Sequence, residues 1–151
     1  MPATVHASAV LVGARAVLIR GPSGAGKSRL VLELIEAARA GRLRFARLVG
    51  DDRVHLENAG GRLVVRPAQN LAGLFELRGT GILRLDHEAS AVVGLVVDLD
   101  AADAERLPER HEAEIEGVTL PRLAVAARTA ALPAVLALIA PSGTVVEREV
   151  P

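Results

Sequence analysis

Apolar positions recur along the chain with two different periods. Thr4 to Val12 and Arg15 to Arg20 are apolar-rich runs separated only by Gly13-Ala14-Arg15. That pattern predicts two strands joined by a short turn. From Ser28 to about Ala40 the spacing changes. Apolar residues stand at 30, 31, 34, 35 and 38, one face of a helix, and Gly41 is the predicted stop. Phe45 to Gly50 is extended again and ends in Asp51-Asp52. Arg53 to Glu57 and Arg62 to Arg66 read as a hairpin across Asn58-Ala59-Gly60-Gly61. A glycine-punctuated stretch follows, Ala72 to Ile82. Ala91 to Leu99 is one unbroken apolar run, expected to be a strand buried on both faces. Asp100 to Glu114 is acidic and is expected to be a surface loop or short helix. Val118 to Val125 is extended. Ala127 to Ala140 is expected to be the last helix, which Pro133 either kinks or starts. Many short strands with one central and one C-terminal helix predict an α/β fold with a mixed sheet.

Composition narrows the picture. A length of 151 residues predicts one domain over 1–151. Half the residues are apolar, enough for a packed core, and the formal net charge is zero. A balanced chain lacks the basic footprint of a nucleic-acid binder. The only aromatic residues are Phe45 and Phe75, too few for base-stacking platforms. The absence of cysteine excludes disulfides, thiolate metal sites and a cysteine nucleophile. Met1 to Ala9 carries no basic n-region. The longest apolar stretch, Ala130 to Pro141, is too short for a bilayer, which needs ~20 residues. No membrane partner and a cytoplasmic location are expected.

Between the second strand and the first helix stands Gly21-Pro22-Ser23-Gly24-Ala25-Gly26-Lys27-Ser28, a G-x-x-x-x-G-K-S loop. In strand–loop–helix context this spacing binds phosphate. Glycines let the backbone N–H groups curl around an anion, and the helix start adds unpaired donors and partial positive charge. Lys27 is placed for the β- and γ-phosphates of a nucleotide such as ATP, and the Ser28 hydroxyl for Mg²⁺. Of the 18 basic residues, Lys27 is the only lysine. Arginine fills every other cationic position, so position 27 calls for a compact ammonium rather than a planar fork.

A phosphate loop needs a carboxylate to complete its metal site or to activate a nucleophile. Asp51 and Asp52 close the next strand, and in such folds that strand lies beside the phosphate-loop strand. Strand alternation predicts that one faces the phosphate and the other points away, without saying which. Glu76 and Arg78 are expected on one strand face, as a second metal-side carboxylate and an anion-binding arginine; the plain alternative is an exposed ion pair. If the first two strands pair across Gly13, His6 lies roughly opposite residues 20 to 22, within reach of a γ-phosphate. His55, His87 and His111 lack metal-ligand spacing and are expected to face solvent.

Together these motifs resemble the catalytic domain of HPr kinase/phosphorylase, from His6 to about Pro121. The family's H-x-x-x-V is similar to His6–Val10, its G-D-S-G-x-G-K-S loop to Gly21–Ser28, with Pro22 for the family's Asp and Arg29 for its acidic residue. Its L-V-A-D-D-R-V is similar to Leu48–Val54, and its L-L-E-I-R-G-L-G-I to Leu74–Ile82. The resemblance implies a P-loop kinase domain that transfers phosphate from ATP to a serine of an HPr-like phosphocarrier protein of a phosphotransferase system, in a regulatory role. It implies catalytic roles for His6, Lys27 and Asp51, with Asp51 as base, and for Arg106 through the weaker match of Glu105-Arg106-Leu107-Pro108. It implies Mg²⁺ at Ser28 and Glu76, with Asp52 as the remaining metal-side carboxylate. It also implies a homo-oligomer, hexameric in relatives. The resemblance begins almost at the first residue, so a truncated form without the family's N-terminal domain is expected. Leu120–Ala126 lacks the family's I-P-V-R-P-G-R-N, so dephosphorylation is not expected. Read from the residues alone, a small-molecule kinase, a nucleotide hydrolase or a non-catalytic nucleotide sensor remains open.

Overall fold

A computed structural model of the chain describes residues 3–104 and 111–139. Ten strands and two helices follow the order β1 (Val5–Val12), β2 (Arg15–Arg20), α1 (Lys27–Arg39), β3 (Ala46–Gly50), β4 (Arg53–Ala59), β5 (Arg62–Pro67), β6 (Leu74–Leu77), β7 (Gly81–Arg84), β8 (Ala91–Asp98), β9 (Glu112–Ile115), β10 (Val118–Ala124) and α2 (Leu132–Ile139). The fold is mixed α/β, as the two periods predict.

Two long strands organise it. The body of β1 pairs antiparallel with β2 on one edge and β3 on the other, while its first residues, Val5 and His6, pair with β4. β8 likewise begins against β5 and continues parallel to β2, with β10 parallel on its far side. The pairings therefore close on themselves through β1, β4, β5, β8 and β2. β6 and β7 form a separate hairpin.

Strand alternation assigns each run to two cores. Val10, Val17, Ile19, Leu48, Leu95 and Val97 face the helices, where Leu30, Val31 and Leu34 of α1 and Val135 of α2 meet them. Ala9, Ala16, Leu18, Val49, Val93 and Val96 face the β4–β5 side and pack on Val54, Leu63 and Val65. This explains why β1, β2 and β8 read as nearly unbroken apolar runs: both faces are covered. Each fully buried Val, Leu or Ile contributes about 1.5–3 kcal/mol relative to exposure. On the solvent side of α1, Glu36 and Arg39 pair at 2.7 Å. The helix ends at Gly41, whose φ of 79° lets its N–H and that of Arg42 turn back to the carbonyls of Ala38 and Ala37.

Several expectations change. The strand that leads to Asp51-Asp52, β3, does not lie beside the phosphate-loop strand β2, because β1 stands between them and pairs with both. Glu112–Ile115, placed in the acidic loop, is strand β9, because Ala113 and Ile115 face the β4–β5 core while Glu112 and Glu114 face outward. The last helix begins at Leu132 rather than near Ala127; of the two roles open to Pro133 it takes the one at the helix start, standing in the first turn, where no N–H is needed from it. His55 and His111 are half-buried, each with a buried Nδ1, rather than solvent-facing. Among the described residues, no helix is long and apolar enough to cross a membrane.

Candidate functional site

The glycine loop is held from both ends. Arg20 ends β2, and Lys27 begins α1 after Gly26, the last residue of the loop before it, has turned the chain at φ 101°. No side chain caps that helix start and no acidic residue stands in its first turn. Its backbone donors and positive dipole end are thus available to an anion. Gly21 is needed for space: a Cβ there would lie 3.1 Å from the Leu99 carbonyl oxygen and 3.2 Å from the Leu99 Cβ.

Lys27 is 6% exposed. Its ammonium donates back to the carbonyls of Gly21 (2.8 Å) and Pro22 (3.2 Å). Burial lowers its pKa below the ordinary lysine value, against the opposing charges of Asp52 and Asp51. The lysine is held where its charge is costly until an anion joins it.

Asp51 and Asp52 follow the end of β3, where alternation no longer applies. Asp51 is buried, and its Oδ1 accepts from the hydroxyls of Ser28 and Ser8, each at 2.8 Å. Asp52 takes a left-handed φ of 68°, and its Oδ1 lies 2.8 Å from His6 Nε2. Contrary to the expectation that one would point away, both carboxylates line the same cavity. The left-handed turn at Asp52 brings the second one round.

That cavity holds about 470 Å³ and gathers His6, Ser23, Gly24, Gly26, Lys27, Ser28, Asp51, Asp52, Glu76 and Arg78 around one space. β1 carries His6 there because Ala7 pairs with Arg20, which sets residue 6 opposite the start of the loop, within the predicted window. The β6–β7 hairpin brings Glu76, Leu77 and Arg78 over the opening; Arg78 lies one residue beyond β6. Gly21 and Pro22 serve through their carbonyls on Lys27, and Ala25 lines a neighbouring cavity instead. Arg106 lies outside the described residues.

The donors are hard oxygens: the Ser28 hydroxyl and three carboxylates. That set fits Mg²⁺, which binds through one or two carboxylates together with substrate phosphates. Among the described residues, no group of three or more His, Asp or Glu converges tightly enough to hold an ion alone. The nucleotide would have to complete the coordination.

Sequence reasoning missed two residues. Ser8 is fully buried in the middle of β1, donates to Asp51 and accepts from the Asp52 amide at 3.1 Å. One hydroxyl thereby fixes both the carboxylate and the turn after it. A lone serine inside an apolar strand was the available signal. Arg122 is 9% exposed on β10 and binds Asp98 at 2.6 Å and Asp103 through two bonds at 2.8 and 2.9 Å. Asp98 also takes a two-pronged contact from Arg20, at 2.7 and 2.8 Å. Burial by itself would raise the Asp98 pKa; the hydrogen bonds and charges of Arg20 and Arg122 outweigh it and hold the carboxyl below its ordinary range. Arg122 is raised, chiefly by Asp103.

The family described as the HPr Serine kinase C-terminal domain matches residues 2–140. The chain is 35% identical over 139 residues to an HPr kinase/phosphorylase of Streptococcus thermophilus, covering 83% of this chain and 43% of the relative. An HPr kinase/phosphorylase of Streptococcus pneumoniae is 35% identical over 140 residues, with 83% and 42% covered. The chain thus spans less than half the length of these curated relatives. Among solved structures, the HPr(Ser) kinase/phosphatase from Coxiella burnetii superposes with a TM-score of 0.70 at 23% identity, over 88% of this chain and 85% of that one. At that identity the likeness shows the fold.

Proposed function

The chain belongs to the HPr serine kinase C-terminal domain family, and from that premise we propose that it is a kinase domain moving the γ-phosphoryl group of ATP to a serine hydroxyl of an HPr-like phosphocarrier protein. The observation that carries this reading is Asp51. It is a buried carboxylate fixed by Ser8 and Ser28 on one oxygen, in the same cavity as Lys27. Both hydroxyls donate to Oδ1, so Oδ2 can take the proton of an acceptor hydroxyl as its oxygen attacks phosphorus.

The chemistry divides among this chain's residues. The glycine loop and the start of α1 bind the phosphate chain, and Lys27 exchanges its carbonyl partners for phosphate oxygens. Mg²⁺, when bound with the nucleotide, would neutralise charge on the transferring group. Ser28, Asp52 and Glu76 are the residues to hold it. His6 orients Asp52 through their 2.8 Å contact and faces the acceptor side. Arg78, from the hairpin over the opening, supplies a cation to the phosphates. Arg106 is retained as a further catalytic arginine on the strength of the sequence match alone.

In this reading residues 1–151 act as one catalytic unit, cytoplasmic and homo-oligomeric, regulating a phosphotransferase system in the kinase direction. The test is transfer of labelled phosphate from ATP to purified phosphocarrier proteins, with the labelled residue mapped. Asp51→Asn is expected to abolish transfer while ATP still binds. Undiminished transfer in that variant would overturn the role of Asp51. Labelling of a metabolite in place of every protein tested would make the domain a small-molecule kinase.

A further inference from the structure

A second cavity, of about 720 Å³, lies against the other side of the glycine loop. It shares Gly24, Gly26 and Arg29 with the chamber that holds Asp51 and Glu76, so the loop is the wall between the two. A nucleoside triphosphate is an elongated molecule with its charge at one end and its ribose and base at the other. A terminal phosphoryl group placed at Lys27 and Ser28 would set the phosphate chain across the start of α1, and the shared edge at Gly24, Gly26 and Arg29 would lead its other end toward the second cavity.

The lining of that cavity suits what would arrive. Leu99, Val125 and Ala131 belong to the helix-side core and present an apolar floor. Asp100, Arg128 and Thr129 stand among the other walls. Apolar ground with a few placed polar groups is the usual make-up of a small-molecule site of this size. The backbone there is held, not slack. Ala101 N–H donates to the Val125 carbonyl at 3.0 Å, and Val125 N–H to the Asp98 carbonyl at 2.8 Å. Asp100 and Arg128 take left-handed φ values of 52° and 62°. Of the four non-glycine residues with positive φ among the described residues, three line the two cavities, the third being Asp52. Side chains fixed in such conformations concentrate at ligand clamps.

We propose that this second cavity is the nucleoside subsite, in which Asp100 accepts hydrogen bonds from the ribose hydroxyls and Arg128 covers the base above Leu99, Val125 and Ala131. The assignment rests on the phosphotransfer reading and extends it. A carboxylate is the group that selects a ribose diol. In a chain with two aromatic residues, neither of them lining this cavity, a guanidinium is the planar group able to stack on a base.

Binding of Mg·ATP and of Mg·tripolyphosphate to the purified chain separates the two ideas, because tripolyphosphate needs only the glycine loop. Arg128→Asn removes the guanidinium with a residue that tolerates the left-handed backbone, and Asp100→Asn does the same for the carboxylate. Arg128→Asn is expected to weaken ATP roughly three- to tenfold, the scale of one stacking contact, and to leave tripolyphosphate unchanged. Asp100→Asn is expected to erase the preference for ATP over 2′-deoxy-ATP. Wild-type binding of tripolyphosphate as tight as that of ATP, or ATP binding unaltered in both variants, overturns the subsite alone. An equal loss of both ligands in the variants places the effect in the loop and also overturns it. A wild-type chain that binds neither ligand fails the phosphotransfer reading, and the subsite falls with it.

Discussion

Two charged clusters flank the glycine loop, and they are built on opposite terms. At its entrance, Arg20 holds Asp98 and Arg122 holds Asp103 through two bonds each, and a further Arg122–Asp98 bond joins the pairs, at 2.6 to 2.9 Å. Two cations and two anions meet there, and their contacts offset burial. At its exit, Lys27 is buried with only backbone carbonyls for partners, while Asp51 and Asp52 are held by hydroxyls and a histidine. Opposite charges share one chamber there without pairing. The first cluster holds β2, β8 and β10 together at the base of the loop. The second leaves its charges to partners that a ligand could replace. The lesson is that burial and charge alone do not mark a working site. What marks it is a charge whose present partners are ones a ligand can replace.

The widest gap between the clusters should appear on removing Lys27. Lys27→Met is expected to lower phosphoryl transfer by on the order of 10²–10³-fold, the usual loss for a positioned group on a reacting oxyanion. It should not lower the thermal stability of the ligand-free protein. The sign follows from the depressed pKa: the fold disfavours the ammonium, a penalty present below the folded pKa and relieved as pH rises through it toward 10.5. The wild type should therefore gain stability relative to Lys27→Met on that alkaline limb. A Lys27→Met protein that unfolds well below the wild type would mean that the lysine is scaffold after all.

Breaking the entrance cluster should do the reverse. Asp98→Asn leaves the buried Arg122 and the part-exposed Arg20 without their shared carboxylate, and a loss of about 3 kcal/mol in stability is expected from denaturant unfolding. Asp98 has a lowered pKa, so its contribution is complete above the ordinary carboxyl value of 3.8 and is lost as pH falls through the folded value. The stability difference between wild type and Asp98→Asn should shrink in that acid window. A difference that persists there unchanged would point to packing rather than charge.

The smallest effect tests the hinge of the second cluster. Ser8→Ala removes one hydroxyl that holds both Asp51 and the Asp52 turn. Roughly a tenfold loss in kcat, with KM for ATP little changed, is expected for about 1.4 kcal/mol of lost positioning. Ser8→Thr should restore much of it. Equal losses with Ala and Thr would assign Ser8 to packing alone.

Much of this was legible in residue order, and the failures have a common cause. Local spacing was enough for β1, β2, α1 and the β4–β5 hairpin, because period, glycine turns and caps act over a few residues. Glu112–Ile115 escaped because its acidic outer face reads as loop until pairing with β10 sets the inner one against the β4–β5 core. His55 and His111 depart from expectation because residue spacing does not show which ring nitrogens the fold buries. Within the site, the positions of Lys27, Ser28, Asp51 and Glu76 could be named from motifs. Ser8 and Arg122 could not, since each matters through partners 19 to 44 residues away, visible only once the strands are laid side by side.

The sequence by itself determined a loop suited to an anion where β2 gives way to α1, because glycines, a lone lysine and a helix start act through backbone geometry that needs no distant partner. Only the tertiary structure decided what surrounds that loop. The pairing of β1 with β2 and β3 brought His6 and Ser8 to the Asp51–Asp52 turn, and the left-handed backbone at Asp52 turned both carboxylates into one chamber. The meeting of β8, β10 and the segment before α2 formed a second chamber behind the loop. Pairing and packing over long separations set those distances, and a linear pattern does not carry them.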